Sequence, residues 1–257
     1  MSLNNEMETA DNLNEFLRNV TVDNVIFGNH ERKLKVLLQR PVGFSKWTVT
    51  GGRVKKTESI KEAANRVAFT RTGLLNLFLR QFHTFGDPER TKDEAYTPEK
   101  LHQYYGIVLP ADHWLFEYAV SISFYTLTEY SLVNISKGPN DEEIEWWPID
   151  DLPLLMFDHK EIIAEALKAL QLHIYLYPVG YELLPEKFTL PEITNLYETI
   201  LGKTLNSRNF ARKIMATGIV RKLEEKRSIG AHRSPFLYKF DKRKYDAALK
   251  NGLFFGF

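Results

Sequence analysis

Residues 51–74 of the sequence read GGRVKKTESIKEAANRVAFTRTGL, a glycine-led loop that runs directly into an amphipathic segment. Ser59 and Glu62 have the spacing of a capping box, in which two side chains satisfy backbone N–H groups at the start of a helix. Gly73 supplies a stop signal at the other end. Between these signals apolar residues recur at helical spacing, at Ile60, Ala63, Ala64 and Val67. The segment therefore predicts a loop followed by a helix that ends at Gly73.

The order of glycine, glutamate and arginine in this segment resembles the Nudix box. This box is the loop and helix motif of a hydrolase family that cleaves nucleoside diphosphates linked to another group. Gly52, Glu58 and Arg66 fall at the positions of the motif. The resemblance implies that Glu58 and Arg66 pair with each other to brace the loop. It also implies a Nudix fold of α/β and α+β character, an α/β/α sandwich built around a mixed sheet.

The positions that carry magnesium-binding glutamates in the Nudix family hold Val67, Thr70 and Arg71 here. Magnesium needs hard oxygen ligands, and neither valine nor arginine supplies a carboxylate. We therefore interpret the segment as a Nudix fold with no catalytic residue, no metal ligand and no cofactor. A hydrolase of ADP-ribose or a nucleotide sugar remains the alternative, because a later acidic run offers other carboxylates at Asp141, Glu142, Glu143 and Glu145.

The composition is that of a soluble globular protein. Of the 257 residues, 44% are hydrophobic and 26% are charged, enough for one large domain or two smaller ones. The absence of cysteine excludes disulfides and thiolate metal sites. The polar, acidic start has no apolar core of a signal peptide, and no apolar run reaches the length of a membrane span. We expect a cytoplasmic protein without a membrane partner.

Charge is distributed unevenly along the chain. The segment 203–257 has 14 Lys and Arg residues against 4 Asp and Glu, a net charge of +10. The preceding 202 residues have 20 against 29, a net charge of −9. A basic end on an acidic body is typical of a nucleic-acid-binding module.

Strand and helix signals surround the box. The expected strands are 20–27, 34–38, 47–50, 77–85, 118–127 and 144–148, and a helix is expected at 158–172. Residues 91–114 interrupt this pattern as an insertion, which we interpret as a lid over a pocket or as a dimer surface. Pro178 and Gly180 mark a linker. The predicted division is a mobile tail at 1–13, an effector-sensing domain at 14–178 and a DNA-binding domain at 179–257.

The last domain has the element order of a winged helix-turn-helix. Thr189 and Glu192 form a second capping box, for a helix that ends at Gly202. A second helix follows from Asn206, and two alternating strands flank the basic segment 226–233. Helix, turn, basic helix and basic hairpin is the order of a DNA-binding winged helix.

The residues 183–214, LLPEKFTLPEITNLYETILGKTLNSRNFARKI, resemble the C-terminal domain of the NrtR-like family of Nudix-related transcriptional regulators. The resemblance implies a repressor that binds double-stranded operator DNA as a homodimer. A protein-interaction module is the alternative, which the +10 charge disfavours. Arg and Asn suit base edges, whereas Lys suits phosphates. The candidate DNA contacts are Lys203, Asn206, Ser207, Arg208, Asn209, Arg212, Lys213, His232 and Arg233.

The same resemblance implies a small-molecule effector, which in the family is ADP-ribose or a sugar such as arabinose. The loop phrase FGDPER at 85–90 resembles a stretch that lines the ligand pocket in related proteins. Without magnesium ligands a pyrophosphate lacks its usual partner, so we favour a sugar or sugar derivative over ADP-ribose. Turn chemistry for Asp87 and a core position for Trp47 are alternatives to ligand binding. The candidate effector residues are Arg40, Trp47, Gly51, Gly52, Arg53, Asp87 and Arg90.

Overall fold

The structure is a computed structural model that describes residues 13–75, 77–135, 137, 141–181, 183–228 and 234–253. The side chains of Leu132 and Glu142 are not described. The candidate DNA contacts His232 and Arg233 therefore lie outside the described residues, as does nearly all of the predicted tail.

A six-stranded sheet organises the first part of the chain. Its strands are β1 Phe16–His30, β2 Lys33–Pro41, β3 Thr48–Lys55, β4 Arg80–Phe85, β5 Val120–Glu129 and β6 Asp141–Pro148. They lie in the order β4-β5-β1-β3-β2-β6, with β2 antiparallel to both β3 and β6. The accompanying helices are α1 Ile60–Thr72, α2 Pro98–Tyr105 and α3 His159–His173. This is the Nudix fold expected from the sequence.

Gly51 and Gly52 lie in the middle of β3, where other atoms approach the backbone closely. In the β1–β3 ladder Asp23 faces Gly51, and Val22 faces Gly52. A Cβ on Gly51 would lie 2.3 Å from Asp23 Oδ1, and a Cβ on Gly52 would lie 2.7 Å from Val67 Cγ2. Real Cβ atoms essentially never come so close, so a larger residue at either position would displace Asp23 or Val67.

Helix α1 forms as the sequence predicts. Ser59 and Glu62 form the complete capping box, and Gly73 ends the helix in a left-handed conformation. The apolar face packs on the sheet, where fully burying a valine or isoleucine side chain contributes about 1.5–3 kcal/mol. The buried residues of this core include Val22, Ile26, Leu37, Val54, Ala63, Ala64, Val67 and Ala68.

The insertion has a small core of its own. Leu101 of α2 packs with Ile107, Leu115 and Leu13 in one cluster of buried residues. Leu13 is only 4% exposed. The sequence assigned it to a mobile tail, and this assignment is wrong for Leu13, because its side chain completes the core of the insertion.

The C-terminal part of the chain is a winged helix domain. It comprises α4 Leu190–Leu201, α5 Ser207–Ala216, the antiparallel strands β7 Val220–Lys226 and β8 Phe236–Phe240, and α6 Lys242–Asn251. Tyr197 of α4 and Phe210 of α5 are buried against each other with ring centroids 5.0 Å apart. Helix α6 was not expected from the sequence. Asp241 caps it, and its residue Tyr245 is buried.

The contacts divide the chain into two compact units. One comprises the chain up to Gly28 together with Lys35–Leu167, and the other comprises Asn29–Leu34 and the chain from Lys168 onward. The border after Leu167 falls inside α3, and the predicted boundary at 178/179 lies within the second unit. In the described part of the chain, no helix is long and apolar enough to cross a membrane.

Candidate effector site and nucleic-acid interface

The loop before α1 is braced by an ion pair. Arg66 donates from Nε and Nη2 to the two carboxylate oxygens of Glu58, at 2.9 and 2.5 Å, and also to the carbonyl of Arg53 at 2.8 Å. Burial raises the pKa of Glu58, but hydrogen bonds from Arg66 and from the backbone N–H of Lys55 outweigh it and lower the pKa. This is the bracing contact that the Nudix resemblance implies.

The three residues that replace the magnesium-binding glutamates, Val67, Thr70 and Arg71, make other contacts. Val67 is buried, and Thr70 donates its hydroxyl back to the carbonyl of Arg66 at 2.8 Å. Arg71 donates to Gln39 Oε1 at 2.8 Å and lies 3.2 Å from Asp141 Oδ2. This donor set does not fit magnesium, because a guanidinium already neutralises the nearby carboxylate. Among the described residues no group of three or more His, Cys, Asp or Glu side chains is placed to hold a metal ion.

A cavity of about 190 Å³ lies beside the glycine loop and is called the effector cavity below. Part of its wall is polar, with Thr21 and Asp23 from β1, Gln39 from β2 and Thr48 from β3. Another part is aromatic and comes from Tyr96, Phe116 and Phe157. Tyr96 belongs to the insertion, which therefore contributes to the wall of this cavity.

The structure separates the predicted effector residues into two groups. Gly51, Gly52, Arg53 and Arg90 line the effector cavity. Arg40 and Trp47 do not line it. Arg40 binds Glu143 at 3.0 Å, and Trp47 is 6% exposed with its ring edge on Trp147 at 5.4 Å between centroids. Trp47 is thus a core residue and not part of the cavity wall.

Asp87 has a role in its own turn. Its Oδ1 accepts a hydrogen bond from the backbone N–H of Glu89 at 2.8 Å. Its backbone carbonyl accepts one from the backbone N–H of Arg90 at 3.1 Å. The residue is exposed and lines a second cavity rather than the effector cavity. These contacts are the turn chemistry that the Gly-Asp-Pro sequence favours.

Arg90 is the centre of a buried ion network. Its Nε and Nη2 donate to the two oxygens of Asp158 at 2.8 and 3.0 Å. Its Nη1 donates to the carbonyl of Ala119 at 2.7 Å, and Nη2 also lies 3.5 Å from Asp23. Its side chain is only 4% exposed. The guanidinium therefore holds the wall of the cavity together.

Helix α5 carries the candidate base-reading face. Phe210 and Ile214 are buried, whereas Arg208 and Arg212 are exposed. Asn206 caps the helix by accepting from the N–H of Asn209 at 2.9 Å, and Arg212 donates to Asn209 Oδ1 at 2.8 Å. The apolar face of α5 thus packs in the domain core, and the opposite face exposes Arg208 and Arg212 to solvent.

The remaining described DNA candidates flank this face. Ser207 is exposed at the first turn of α5, and Lys213 is half-buried. Lys203 lies before the helix and donates to the hydroxyl of Tyr175 at 2.9 Å. In the wing, which is the β7–β8 hairpin, Lys222 and Lys226 both lie over the ring of Phe236.

Comparison with known families agrees with both halves of this geometry. Residues 17–170 match the model of the NUDIX domain. Residues 180–240 match the model of the NrtR DNA-binding winged helix domain. The chain belongs to the NrtR-like family. Its glycine loop and α1 are the Nudix box of this family, and α5 with the wing belongs to its winged helix domain.

Three individual proteins resemble this chain over most of its length. The ADPR responsive transcriptional repressor NtrR of Acinetobacter baylyi is 25% identical over 234 residues, 88% of this chain and 84% of the relative. Shewanella oneidensis NrtR complexed with a 27mer DNA is 25% identical with a TM-score of 0.68, covering 89% of this chain and 96% of that one. A MutT/nudix family protein from Enterococcus faecalis, 19% identical with a TM-score of 0.60, covers 88% of this chain and 87% of its own, and shares the fold.

Several residues of the effector cavity were not predicted from the sequence. Asp23 is 5% exposed in the middle of a strand, and His159 is 6% exposed at the start of α3. Tyr96 and Phe157 belong to segments without a functional motif. A charged residue within a strand rich in valine and isoleucine is the signal that could have indicated Asp23, since charged residues are rarely buried without a partner.

His159 is a buried titratable side chain in the wall of the effector cavity. Its Nδ1 accepts a hydrogen bond from the backbone N–H of Val49 at 3.2 Å, so the ring is neutral. Burial lowers its pKa below 6.5 and Arg90 adds to this effect, against the opposing influence of Asp23 and Asp158. The unfolded chain therefore takes up a proton first as the pH falls.

We expect the free energy of unfolding to decrease as the pH drops below 6.5, by up to about 1.4 kcal/mol per pH unit for this one proton. Urea denaturation between pH 5 and 7.5 measures the slope. The control is His159→Asn, whose side-chain oxygen accepts the same hydrogen bond but does not titrate. A variant with an unchanged slope would show that other groups cause the acid sensitivity.

Proposed function

We propose that this protein is a DNA-binding transcriptional repressor whose Nudix domain binds a small-molecule effector without hydrolysing it. The observation that carries the proposal is the exposed arginine face of α5, set on a buried Phe210 and Ile214. Arginine in this position suits bidentate hydrogen bonds to guanine. The likeness to Shewanella NrtR, whose structure contains a 27mer DNA, supports the same function.

The protein acts on DNA as a homodimer. A single winged helix reads one half-site, and twofold symmetry supplies the second half-site of a roughly palindromic operator. Such a repressor works where the chromosome is, so we place it in the cytoplasm.

The side chains of α1 support the proposed absence of hydrolysis. Arg71 occupies one of the motif positions for a metal-binding carboxylate, and it is already paired with Asp141. Glu143, a carboxylate that the sequence left open as a replacement, is paired with Arg40 at 3.0 Å. A carboxylate held by a guanidinium is a poor ligand for magnesium.

For the effector we favour a sugar or sugar derivative. The cavity of about 190 Å³ is smaller than the about 300–1,000 Å³ typical of pockets for drug-sized ligands. Its aromatic rings suit the C–H faces of a sugar, and Asp23 and Gln39 suit hydroxyl groups. Two arginines line the cavity: Arg90 is bound to Asp158, and Arg53 lies over the ring of Trp114, 5.0 Å from its centroid, so a pyrophosphate meets little concentrated positive charge here. ADP-ribose is the second candidate because the Acinetobacter relative is named for its response to it.

The test uses the full-length protein and genomic DNA fragments selected by binding to it. We expect selected duplexes to bind with two protein chains each. A panel of pentoses, hexoses, sugar phosphates and ADP-ribose is then screened by thermal shift and for release of the DNA. A sugar should stabilise the protein and release the duplex, whereas stabilisation by ADP-ribose alone would overturn the sugar preference. Robust hydrolysis of ADP-ribose with magnesium or manganese would overturn the non-enzymatic function.

A further inference from the structure

A second cavity, of about 420 Å³, adjoins the effector cavity and is called the neighbouring cavity below. Its wall is polar and includes His83, Thr84, Asp87, Glu89, Lys92 and Glu161. Two residues line both cavities, Arg90 and Phe157. These two residues therefore form the partition between the two spaces.

Arg90 is the fixed part of this partition. Its guanidinium is tied to Asp158, Ala119 and Asp23, so moving it would leave buried carboxylates unpaired. The other part is Phe157, whose side chain packs against two neighbouring rings. Its ring lies 5.5 Å from the ring of Tyr96 and 5.5 Å from that of His159, both in edge-to-face geometry.

The backbone of Phe157 is strained. Its φ is +54°, in the left-handed region that bulky residues rarely adopt and that costs about 1–3 kcal/mol. Glycine would take this conformation without strain, yet the chain has phenylalanine there. Strain of this kind persists where surrounding contacts enforce it, and it concentrates at ligand sites.

Hydrogen bonds on and beside Phe157 hold its backbone in this conformation. The N–H of Met156 donates to the carbonyl of Trp47 at 2.8 Å, just before Phe157. The N–H of Phe157 donates to the carboxylate of Asp93, which is 4% exposed and also holds Lys46 at 2.8 Å. These bonds fix the backbone so that the ring is aimed at the boundary between the cavities.

We propose that Phe157 is the specificity-determining residue of the effector site. Its ring closes the effector cavity against the neighbouring cavity and limits the effector to about the size of one sugar ring. The inference rests on the proposed effector-binding function and names the class of ligand, a monosaccharide or its small derivative.

Removing the ring joins the two cavities into one space. That space falls within the range of drug-sized pockets, and it exposes the polar wall of the neighbouring cavity to the ligand. Lys92 lies in that wall and can bind an anionic ligand. Its ion pair with Glu89 is weak, because each of the two side chains is 69% exposed to solvent. A nucleoside diphosphate sugar such as ADP-ribose would then fit, with its pyrophosphate near Lys92.

The first test compares ligand preference. Phe157→Gly removes the ring and relieves the strain, and Phe157→Leu keeps an apolar partition. The matched control is His83→Ala, which alters the neighbouring cavity alone. Calorimetry with the monosaccharide that binds best to the wild type should show at least tenfold weaker binding to Phe157→Gly and at least tenfold tighter binding of ADP-ribose. Phe157→Leu and His83→Ala should keep the wild-type order of affinities. An unchanged order in Phe157→Gly would overturn the proposal.

The second test does not depend on the effector or on DNA binding. The chain has no cysteine, so Thr48→Cys places a single thiol in the wall of the effector cavity. Its reaction rates with a small and a bulky thiol reagent are compared in the backgrounds of Phe157, Phe157→Gly and His83→Ala. The ratio of the bulky to the small rate should rise at least tenfold in Phe157→Gly only. Equal ratios would overturn the partition even if the protein binds operator DNA and effector as proposed.

Discussion

Replacement of Arg90 by alanine is expected to lower the free energy of unfolding by about 3–5 kcal/mol. The substitution leaves the carboxylates of Asp158 and Asp23 without the cation that now lies between them. Asp23 would keep its hydrogen bond from Ser121, which is why the loss stays within this range. The melting temperature should fall by roughly 10 °C, at about 2–4 °C per kcal/mol for a chain of this size.

Urea denaturation followed by circular dichroism measures this effect. Lys92→Ala is the control, because it removes a cation two residues away whose ion pair with Glu89 is exposed. Its effect should stay within about 0.5 kcal/mol. Arg90→Lys should lie between the two, since lysine keeps the charge but not the two-point bond to Asp158. A loss below about 1 kcal/mol for Arg90→Ala would mean that the carboxylates find other partners.

The double replacement of Arg208 and Arg212 by alanine should weaken operator binding at least a hundredfold. One base-reading arginine contributes about 1–3 kcal/mol, and both side chains are exposed on the same face of α5. Arg208→Ala alone should also relax the base preference. Lys213→Ala should instead weaken binding to all sequences evenly and lower the dependence on salt, as expected for a phosphate contact.

Fluorescence anisotropy with the selected duplex, over a series of salt concentrations, separates these effects. Lys250→Ala serves as the control for charge, because it removes an exposed cation from α6 rather than α5. The melting temperature of the double variant should equal that of the wild type. Normal binding by the double variant would show that α5 is not the recognition helix.

Local patterns predicted the elements that local interactions build. Helix α1 begins at the capping box of Ser59 and ends at Gly73, because both signals act within a few residues of the helix end. Helix α4 follows the same logic with Thr189 and Gly202. Helix α6 was missed although Asp241 caps it, since one capping residue without a strong apolar stripe is a weak signal.

The sequence by itself determined the Nudix box and its defect. Glu58 and Arg66 form an ion pair because their spacing places one in the loop and the other on the helix that follows it. The side chains of Val67, Thr70 and Arg71 contain no carboxylate, whatever the fold. The basic winged helix is likewise visible in the excess of Lys and Arg after residue 202. These features depend on residue type and short spacing alone.

Only the tertiary structure decided which residues border the effector cavity. Trp47 is buried because the 154–156 segment pairs with it, and Arg90 is bound to Asp158, 68 positions further along the chain. Strand register brings Asp23 beside Gly51, and the segment before α3 brings Phe157 beside Tyr96. These contacts depend on how distant strands and loops pack. The periodicity of a sequence indicates which side of a strand or helix a residue lies on, but not which distant residue it contacts.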